Sequence, residues 1–173
     1  RQEMTYIKDV LTGWVYRYHE NGVLQEELEL LNGKAHGSVK TYYPTGLLLS
    51  NAVYDGGQKN GIMLVYEEDG SLKYRATYKD DLLNGEYRGF HKNGLTRVIE
   101  NYYEGNLSGK QELFLEDGVL WREAFYKNGK LEGNLKEYYD EKMVKKEEFY
   151  EGGVLKTARE YDSSGNLIYT FGY

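Results

Sequence analysis

The chain has no cysteine, one proline (Pro44) and no apolar run approaching the roughly 20 residues that a membrane helix needs. Without cysteine there are no disulfides and no thiolate metal sites, and the sequence fits a reducing or an oxidising compartment equally. A single proline excludes a Pro-rich linker. Helical periodicity is missing too: nothing longer than about eight residues escapes a glycine, and apolar residues do not recur at a spacing of three to four. Basic residues are outnumbered, 22 Lys and Arg against 28 Asp and Glu, for a net charge of −6. That balance suits neither nucleic acid nor anionic lipid, both of which bind through a Lys/Arg excess. The chain begins at Arg1, and an export signal removed from in front of it is an expectation compatible with that start.

What is present is aromatic. There are 19 tyrosines in 173 residues, alongside 29% charged residues. High charge with low hydropathy suggests disorder on its own, but disordered chains are poor in aromatics. The tyrosines are also ordered along the chain. Gly13, Gly37, Gly61, Gly85, Gly109 and Gly133 open a 24-residue period. Five residues later come Tyr18, Tyr42, Tyr66, Phe90, Phe114 and Tyr138; nine later, Gly22, Gly46, Gly70, Gly94 and Gly118, with Lys142 in the sixth copy. Seventeen later stand Leu30, Tyr54, Tyr78, Tyr102, Tyr126 and Tyr150, and twenty later Gly33, Gly57, Asp81, Gly105, Gly129 and Gly153. Residues 1–12, with Tyr6, form a half repeat; repeats follow at 13–36, 37–60, 61–84, 85–108, 109–132 and 133–155. A partial C-terminal repeat covers 156–173, where Lys156 takes the opening place and Tyr161, Gly165, Leu167, Phe171 and Tyr173 keep the pattern. Residues 1–173 thus read as one repeat domain.

Each copy holds two strand-length runs separated by turn signals. Asp117-Gly118 and Asn128-Gly129 show both kinds, and Asn-Gly or Asp-Gly between alternating runs is the strongest short-range hairpin signal. A three-residue first loop, 116–118, pairs Phe114 with Leu120. A two-residue second loop, 128–129, pairs Tyr126 with Leu131 and carries the same face on to Leu135. Strand parity then puts Phe114, Leu120, Ala124, Tyr126 and Leu131 on one face, provided that each first strand carries one β-bulge between the positions of Leu135 and Tyr138. The fold class that follows is all-β: an elongated antiparallel β-meander of about 13–14 strands, a single curved and twisted sheet with an aromatic-lined face. A lone copy buries too little to fold, so stability comes from neighbouring copies. The opening glycine is expected to admit a close neighbour. Both end strands, Arg1–Tyr6 and Asn166–Tyr173, are expected to present open edges.

The unit G-x-x-x-x-[YF]-x-x-[ND]-G-x-L-x-x-x-A-x-Y-x-x-G-x-L-x resembles the MORN-repeat family. It is closer to the bacterial variant of the repeat, seen in proteins labelled YwqK-type antitoxins, than to the eukaryotic form. The resemblance covers essentially the whole chain. It implies an extended β-hairpin array used for protein association, in some members for attachment to membranes or phosphoinositides. The antitoxin label implies binding and neutralising a partner toxin, and some bacterial proteins with this variant are secreted or surface-located.

Chemistry is sparse. His19 and His91 share a column three copies apart, about 30 Å at the inter-strand spacing, so they cannot share a metal; all three histidines, His36 included, are expected to be solvated. Neighbouring carboxylates, such as Glu26-Glu27 and Glu147-Glu148, point to opposite faces of a strand and make poor acid–base pairs. No helix follows the Gly-Gly turns to cradle phosphate, and no serine, histidine and acid recur together. The expectation is no enzyme, no cofactor and no metal site. Aromatics outside the recurring columns, Trp14, Tyr16, Tyr74, Tyr87, Trp121 and Tyr169, are the candidate partner contacts, because the repeat does not require them. The leading function is a scaffold binding a protein partner, antitoxin-like proteins being a subcase. The alternatives are an exported surface or adhesin-type protein and a membrane-peripheral module binding lipid headgroups. The chain is expected to be a monomer with weak end-to-end contacts.

Overall fold

The computed structural model describes residues 2–3, 6–7, 10–140 and 143–172. Lys142 and Tyr173, both singled out by the repeat, and part of the expected Arg1–Tyr6 strand lie outside the described residues. Among those described there is no helix, and the strand order follows the chain in an open antiparallel meander, as the repeat predicts. Fifteen strands lie on its path. The chain divides into two compact units, residues 1–83 and 84–173.

In the first unit, β1 (Gln2–Glu3) pairs with β4 (Gly13–Tyr18), and β2 (Tyr6–Ile7) pairs with β3 (Val10–Leu11). Then β5 (Leu24–Leu31), β6 (Lys34–Tyr42), β7 (Leu48–Asp55), β8 (Gln58–Tyr66) and β9 (Leu72–Lys79) follow, each antiparallel to the strand before it. The second unit is entered on β10 (Leu82–Phe90) and continues through β11 (Thr96–Tyr103), β12 (Asn106–Leu107), β13 (Gly109–Phe114) and β14 (Leu120–Lys127). It ends with β15 (Lys130–Tyr138), β16 (Val144–Glu151), β17 (Val154–Tyr161) and β18 (Leu167–Phe171). Both β12 and β13 pair with β11.

Both loop lengths are those the spacing predicts. Phe114 lies opposite Leu120, and the Leu115 N–H donates to the Val119 carbonyl at 2.9 Å. Asp117 Oδ1 accepts the Val119 N–H at 3.0 Å, the local bond that makes Asp or Asn apt before the turn glycine. At the second turn Tyr126 faces Leu131 and Lys127 faces Lys130. Asn128 and Gly129 between them take φ of 51° and 76°, the pair of left-handed residues that a two-residue hairpin demands.

The bulge is not where parity placed it. Against β14, β15 runs without interruption from Leu135 to Glu137. Two irregularities per repeat replace the single one. Phe114–Leu120 is followed by Leu113–Arg122, so Trp121 is an extra residue on the second strand. Gln25, Leu49, Lys73, Arg97 and Lys145 are skipped in the same way. The other irregularity sits at the opening glycine. Ala124 faces Leu135 and Tyr126 faces Leu131, leaving Phe125 opposite the three residues 132–134. Gly133, at their centre, has φ of 81°, and its counterpart Gly61 has φ of 131°. The last copy shows the rule by its exception. One residue has been lost, Phe149 faces Thr157 and Tyr150 faces Leu155, and a lysine, Lys156, is the lone extra residue.

The Trp121 bulge inverts side-chain parity, so the expected single stripe splits. Ala124, Tyr126, Leu131 and Leu135 share one face, whereas Phe114 and its partner Leu120 lie on the other. Hydrogen bonds follow the split. The Tyr138 hydroxyl donates to Glu123 Oε1 at 2.8 Å and the Tyr42 hydroxyl to Glu27 Oε1 at 3.0 Å. Glu123 and Glu27 are strand neighbours of Ala124 and Leu28 and so point the opposite way. Both faces are therefore lined with aromatics.

The core is a narrow stripe of small side chains. Val15, Leu28, Val39, Ala52 and Ala76 are buried in the first unit, and Val98, Ala124, Leu135 and Ala158 in the second. All but Val98 stand two or fifteen residues after the opening position of their copy. Ala76 and Ala124 have no accessible surface. The tyrosine column at position seventeen, Tyr54 among it, packs beside this stripe.

Candidate recognition surface

On the face that carries the position-five aromatics, Lys and Glu alternate across the strands. Lys40 Nζ is 2.6 Å from Glu27 Oε1 in the first unit. In the second unit Lys110 bridges Glu112 (2.6 Å) and Glu123 (2.8 Å), and Lys136 pairs with Glu147 (3.1 Å). Tyr42, Tyr138 and Tyr161 end these ladders by donating to Glu27, Glu123 and Glu147. The hydrogen bond from Lys40 holds the Glu27 carboxyl below its ordinary value. Burial alone would raise Glu123, but the bonds from Lys110 and Tyr138 outweigh it and leave that carboxyl lowered. Burial, then the bond to Glu123, pushes the Tyr138 hydroxyl up to about 12. Most basic side chains on this face are thus already neutralised by a neighbour.

The opposite face differs between the units. In the first its central stripe is aliphatic. In the second, polar residues enter the same columns. Gln111 Nε2 donates to Glu100 Oε1 (2.6 Å), and Arg122 Nη1 donates to Gln111 Oε1 (2.7 Å). Lys146 and Tyr150 hold the buried Glu148 at 2.7 and 2.9 Å. Every such group is paired, as burial requires.

The six candidate aromatics do not form one site. Trp14 and Tyr16 stack on the ladder face of the first unit, with centroids 6.3 Å apart and planes at 17°, and Trp14 is 46% exposed. Tyr74 is half-buried on the stripe face of that unit. Tyr87 meets Tyr102 edge to face at 6.4 Å on the stripe face of the second unit. Trp121 is the half-buried bulge residue, and Tyr169, 50% exposed, lies on β18.

The histidines are not simply solvated. His19 Nε2 is 2.8 Å from the Tyr42 carbonyl oxygen and His91 Nε2 is 2.9 Å from that of Phe114. A carbonyl only accepts, so both rings carry a proton on Nε2. Tyr43 and Tyr139 stand in the same column, six after the opening glycine, and donate to the Tyr66 (2.8 Å) and Tyr161 (3.1 Å) carbonyls. In these four copies the column ties the first turn to the next copy; Glu67 and Leu115 hold the place in the other two. The shared donor chemistry of its members was the signal available in the sequence. His36 Nδ1 lies 3.3 Å from Asp55 Oδ1. Among the described residues no three His, Asp or Glu side chains are disposed to hold a metal.

An open cleft of about 370 Å³ lies beside the first turns of the first unit, between Arg17, His19, Glu26, Tyr42, Pro44 and Leu49. Arg17 pairs with Glu26 at its rim, and Pro44, the chain's one proline, forms part of its wall. Among the described residues no helix is long and apolar enough to cross a membrane.

The family model of the MORN repeat variant matches residues 11–32, 59–80 and 107–128. Each match begins two 24-residue periods after the previous one, encloses an opening glycine and the copy's first turn, and ends on the first residue of its second turn. No curated protein matches the chain. MORN repeats are non-enzymatic modules that bind proteins or lipids. With three matches in phase with the period and a hairpin at each copy, the chain carries MORN repeats of the variant type.

Proposed function

We propose that the chain is a non-enzymatic scaffold that binds a protein partner and is itself a monomer. The observation that carries this reading is the Trp14–Tyr16 stack: two large rings, outside the recurring columns, one of them 46% exposed. Such rings offer wide contact area at little conformational cost and are enriched where proteins meet. The paired Lys/Glu ladders support the same reading, because they leave little unpaired positive charge for lipid headgroups. Within this reading, the resemblance to YwqK-type antitoxins suggests a toxin neutralised by binding.

The test is affinity purification from the native organism with wild-type protein and a Trp14→Ala/Tyr16→Ala variant of unchanged circular dichroism. A protein retained by the wild type and lost at least tenfold by the variant is the expected result. Salt-sensitive binding to anionic vesicles with no retained protein would replace it with the lipid reading.

A further inference from the structure

One basic side chain on the ladder face of the second unit is left over. Arg88 pairs with Glu86, Lys110 with Glu112 and Glu123, and Lys136 with Glu147. Arg159 lies directly opposite Glu147 across β16 and β17, but that carboxylate is already held by Lys136 (3.1 Å) and the Tyr161 hydroxyl (3.4 Å). The Arg159 side chain is exposed and makes no ion pair or hydrogen bond to another described residue. Nor do the side chains of Asn134 and Thr157, which lie on either side of Phe149, one on β15 and the other on β17. With Lys136 and Glu147 these residues line an open cleft of about 340 Å³.

Charge and surface together select the ligand. Lys136 and Glu147 cancel, so Arg159 leaves the cleft with a net positive charge. Phe149 is 37% exposed among these polar groups. An apolar partner side chain laid on it would strip water from Asn134 and Thr157 without replacing their hydrogen bonds, which is costly. A phosphate dianion would meet a single unpaired cation and the Glu147 carboxylate. A sugar acid matches every group. Its carboxylate suits the guanidinium fork. Its hydroxyls pair with the amide, hydroxyl, ammonium and carboxylate around the ring. The polarised C–H groups on one face of a pyranose are attracted to the negative face of an aromatic ring. A second ring sets the length. Phe125, 47% exposed, stands on the same face, opposite residues 132–134 on the other side of β15. Asn134 thus lies between two exposed rings two strands apart, about 10 Å, a span that calls for more than one sugar.

We propose that the ladder face of β14 to β17 binds an acidic oligosaccharide, with Arg159 on a sugar carboxylate, Phe149 and Phe125 under sugar rings, and Asn134 and Thr157 on hydroxyls. This goes beyond the protein-binding reading and does not depend on it, since Trp14 and Tyr16 belong to the other unit.

The probe is a hyaluronan tetrasaccharide, alternating glucuronate and N-acetylglucosamine, titrated into the nitrogen-15-labelled protein and followed by amide shifts. Saturable shifts at Phe125, Asn134, Phe149, Thr157 and Arg159 are expected, with the uncharged N-acetylglucosamine tetramer binding at least fivefold more weakly. Arg159→Gln should weaken the acidic probe at least fivefold. Phe149→Tyr, which keeps the ring, should bind as the wild type does. Phe149→Leu, which keeps only apolar bulk, should lose at least fivefold, both variants having unchanged circular dichroism. The Trp14→Ala/Tyr16→Ala protein should bind the probe as the wild type does. Absence of saturable shifts at millimolar probe, shifts centred on other residues, or equal affinity for the charged and uncharged tetramers overturns the inference. So does equal binding by the two Phe149 variants, since the ring is then not used for stacking. Tighter binding of the peptide N-acetyl-Phe-Glu-amide than of the tetrasaccharide also overturns it, and assigns the cleft to a polypeptide.

Discussion

Replacing Gly61 by alanine probes the opening glycine, the most regular feature of the chain. Gly61 has φ of 131°, and a Cβ built on it would lie 3.1 Å from Val53 Cβ. Two costs add. Holding a non-glycine residue in that backbone region costs about 1–3 kcal/mol. Forcing Val53 aside in a packed site adds about 1 kcal/mol, the low end of overpacking penalties. Gly133 separates the two terms: its φ is 81° and a Cβ there meets nothing within 4 Å, so Gly133→Ala bears only the backbone cost. Urea unfolding followed by circular dichroism should therefore show Gly61→Ala less stable by about 2–4 kcal/mol, and Gly133→Ala less stable by about 1–3 kcal/mol, about 1 kcal/mol less than Gly61→Ala. In a chain of this size each kcal/mol lowers Tm by about 2–4 °C. Adding Val53→Ala to Gly61→Ala should recover about 0.5–1 kcal/mol in a double-mutant cycle. The close neighbour expected at the opening glycine is thus present at Gly61 and absent at Gly133; equal costs at the two glycines, or strict additivity with Val53→Ala, would refute the claim that Gly61 is held to glycine by Val53 as well as by its backbone.

Three other outcomes follow from the geometry. Asp80 and Asp81 both sit at positive φ, 51° and 66°, where other copies place Asn-Gly, Gly-Gly or Glu-Gly. Asp81→Gly should raise stability by about 0.5–1 kcal/mol on urea unfolding, the relieved backbone outweighing the exposed bond from Lys59 N–H to Asp81 Oδ1 (2.9 Å). Tyr138 keeps its proton to about 12 in the folded chain against an ordinary 10.0. The folded state therefore binds the proton more tightly, and its contribution, intact below pH 10.0, is lost as pH rises towards 12. Thermal melts across that window should show a shallower decline for Tyr138→Phe, and an unchanged slope would contradict the assignment. Finally, nitrogen-15 NMR of the imidazoles should show His19 and His91 as Nε2–H tautomers at neutral pH; Nδ1–H tautomers would remove the turn-to-turn bonds from the account.

The architecture was legible because the ladder writes itself into residue types. Asp117-Gly118 and Asn128-Gly129 encode their loops chemically, and the pairings Phe114–Leu120 and Tyr126–Leu131 follow from loop length alone. The exchange of faces was not legible, because a bulged residue is defined by backbone hydrogen bonds and not by its side chain. Gln25, Leu49, Lys73, Arg97 and Trp121 share that place and little else. One unseen extra residue was enough to move Phe114 away from Ala124. The same freedom bears on recognition: side chains that the ladder does not constrain, Trp14 and Trp121 among them, are those the repeat leaves open to vary. The histidine bonds are hidden in the sequence for another reason. A donor that satisfies a carbonyl 23 residues away leaves no local motif, and only the company of Tyr43 and Tyr139 in its column gives it away.

The central structural claim is that a bulge in every second strand divides the recurring aromatics between two faces. Nuclear Overhauser contacts across β13 and β14 test it most directly. The account predicts backbone cross-peaks joining Phe114 to Leu120 and Leu113 to Arg122, with Trp121 skipped, together with side-chain contacts from Tyr138 to Glu123. Cross-peaks joining Leu113 to Trp121 and Glu112 to Arg122 would restore the unbulged ladder, return Phe114 to the face of Ala124 and contradict it.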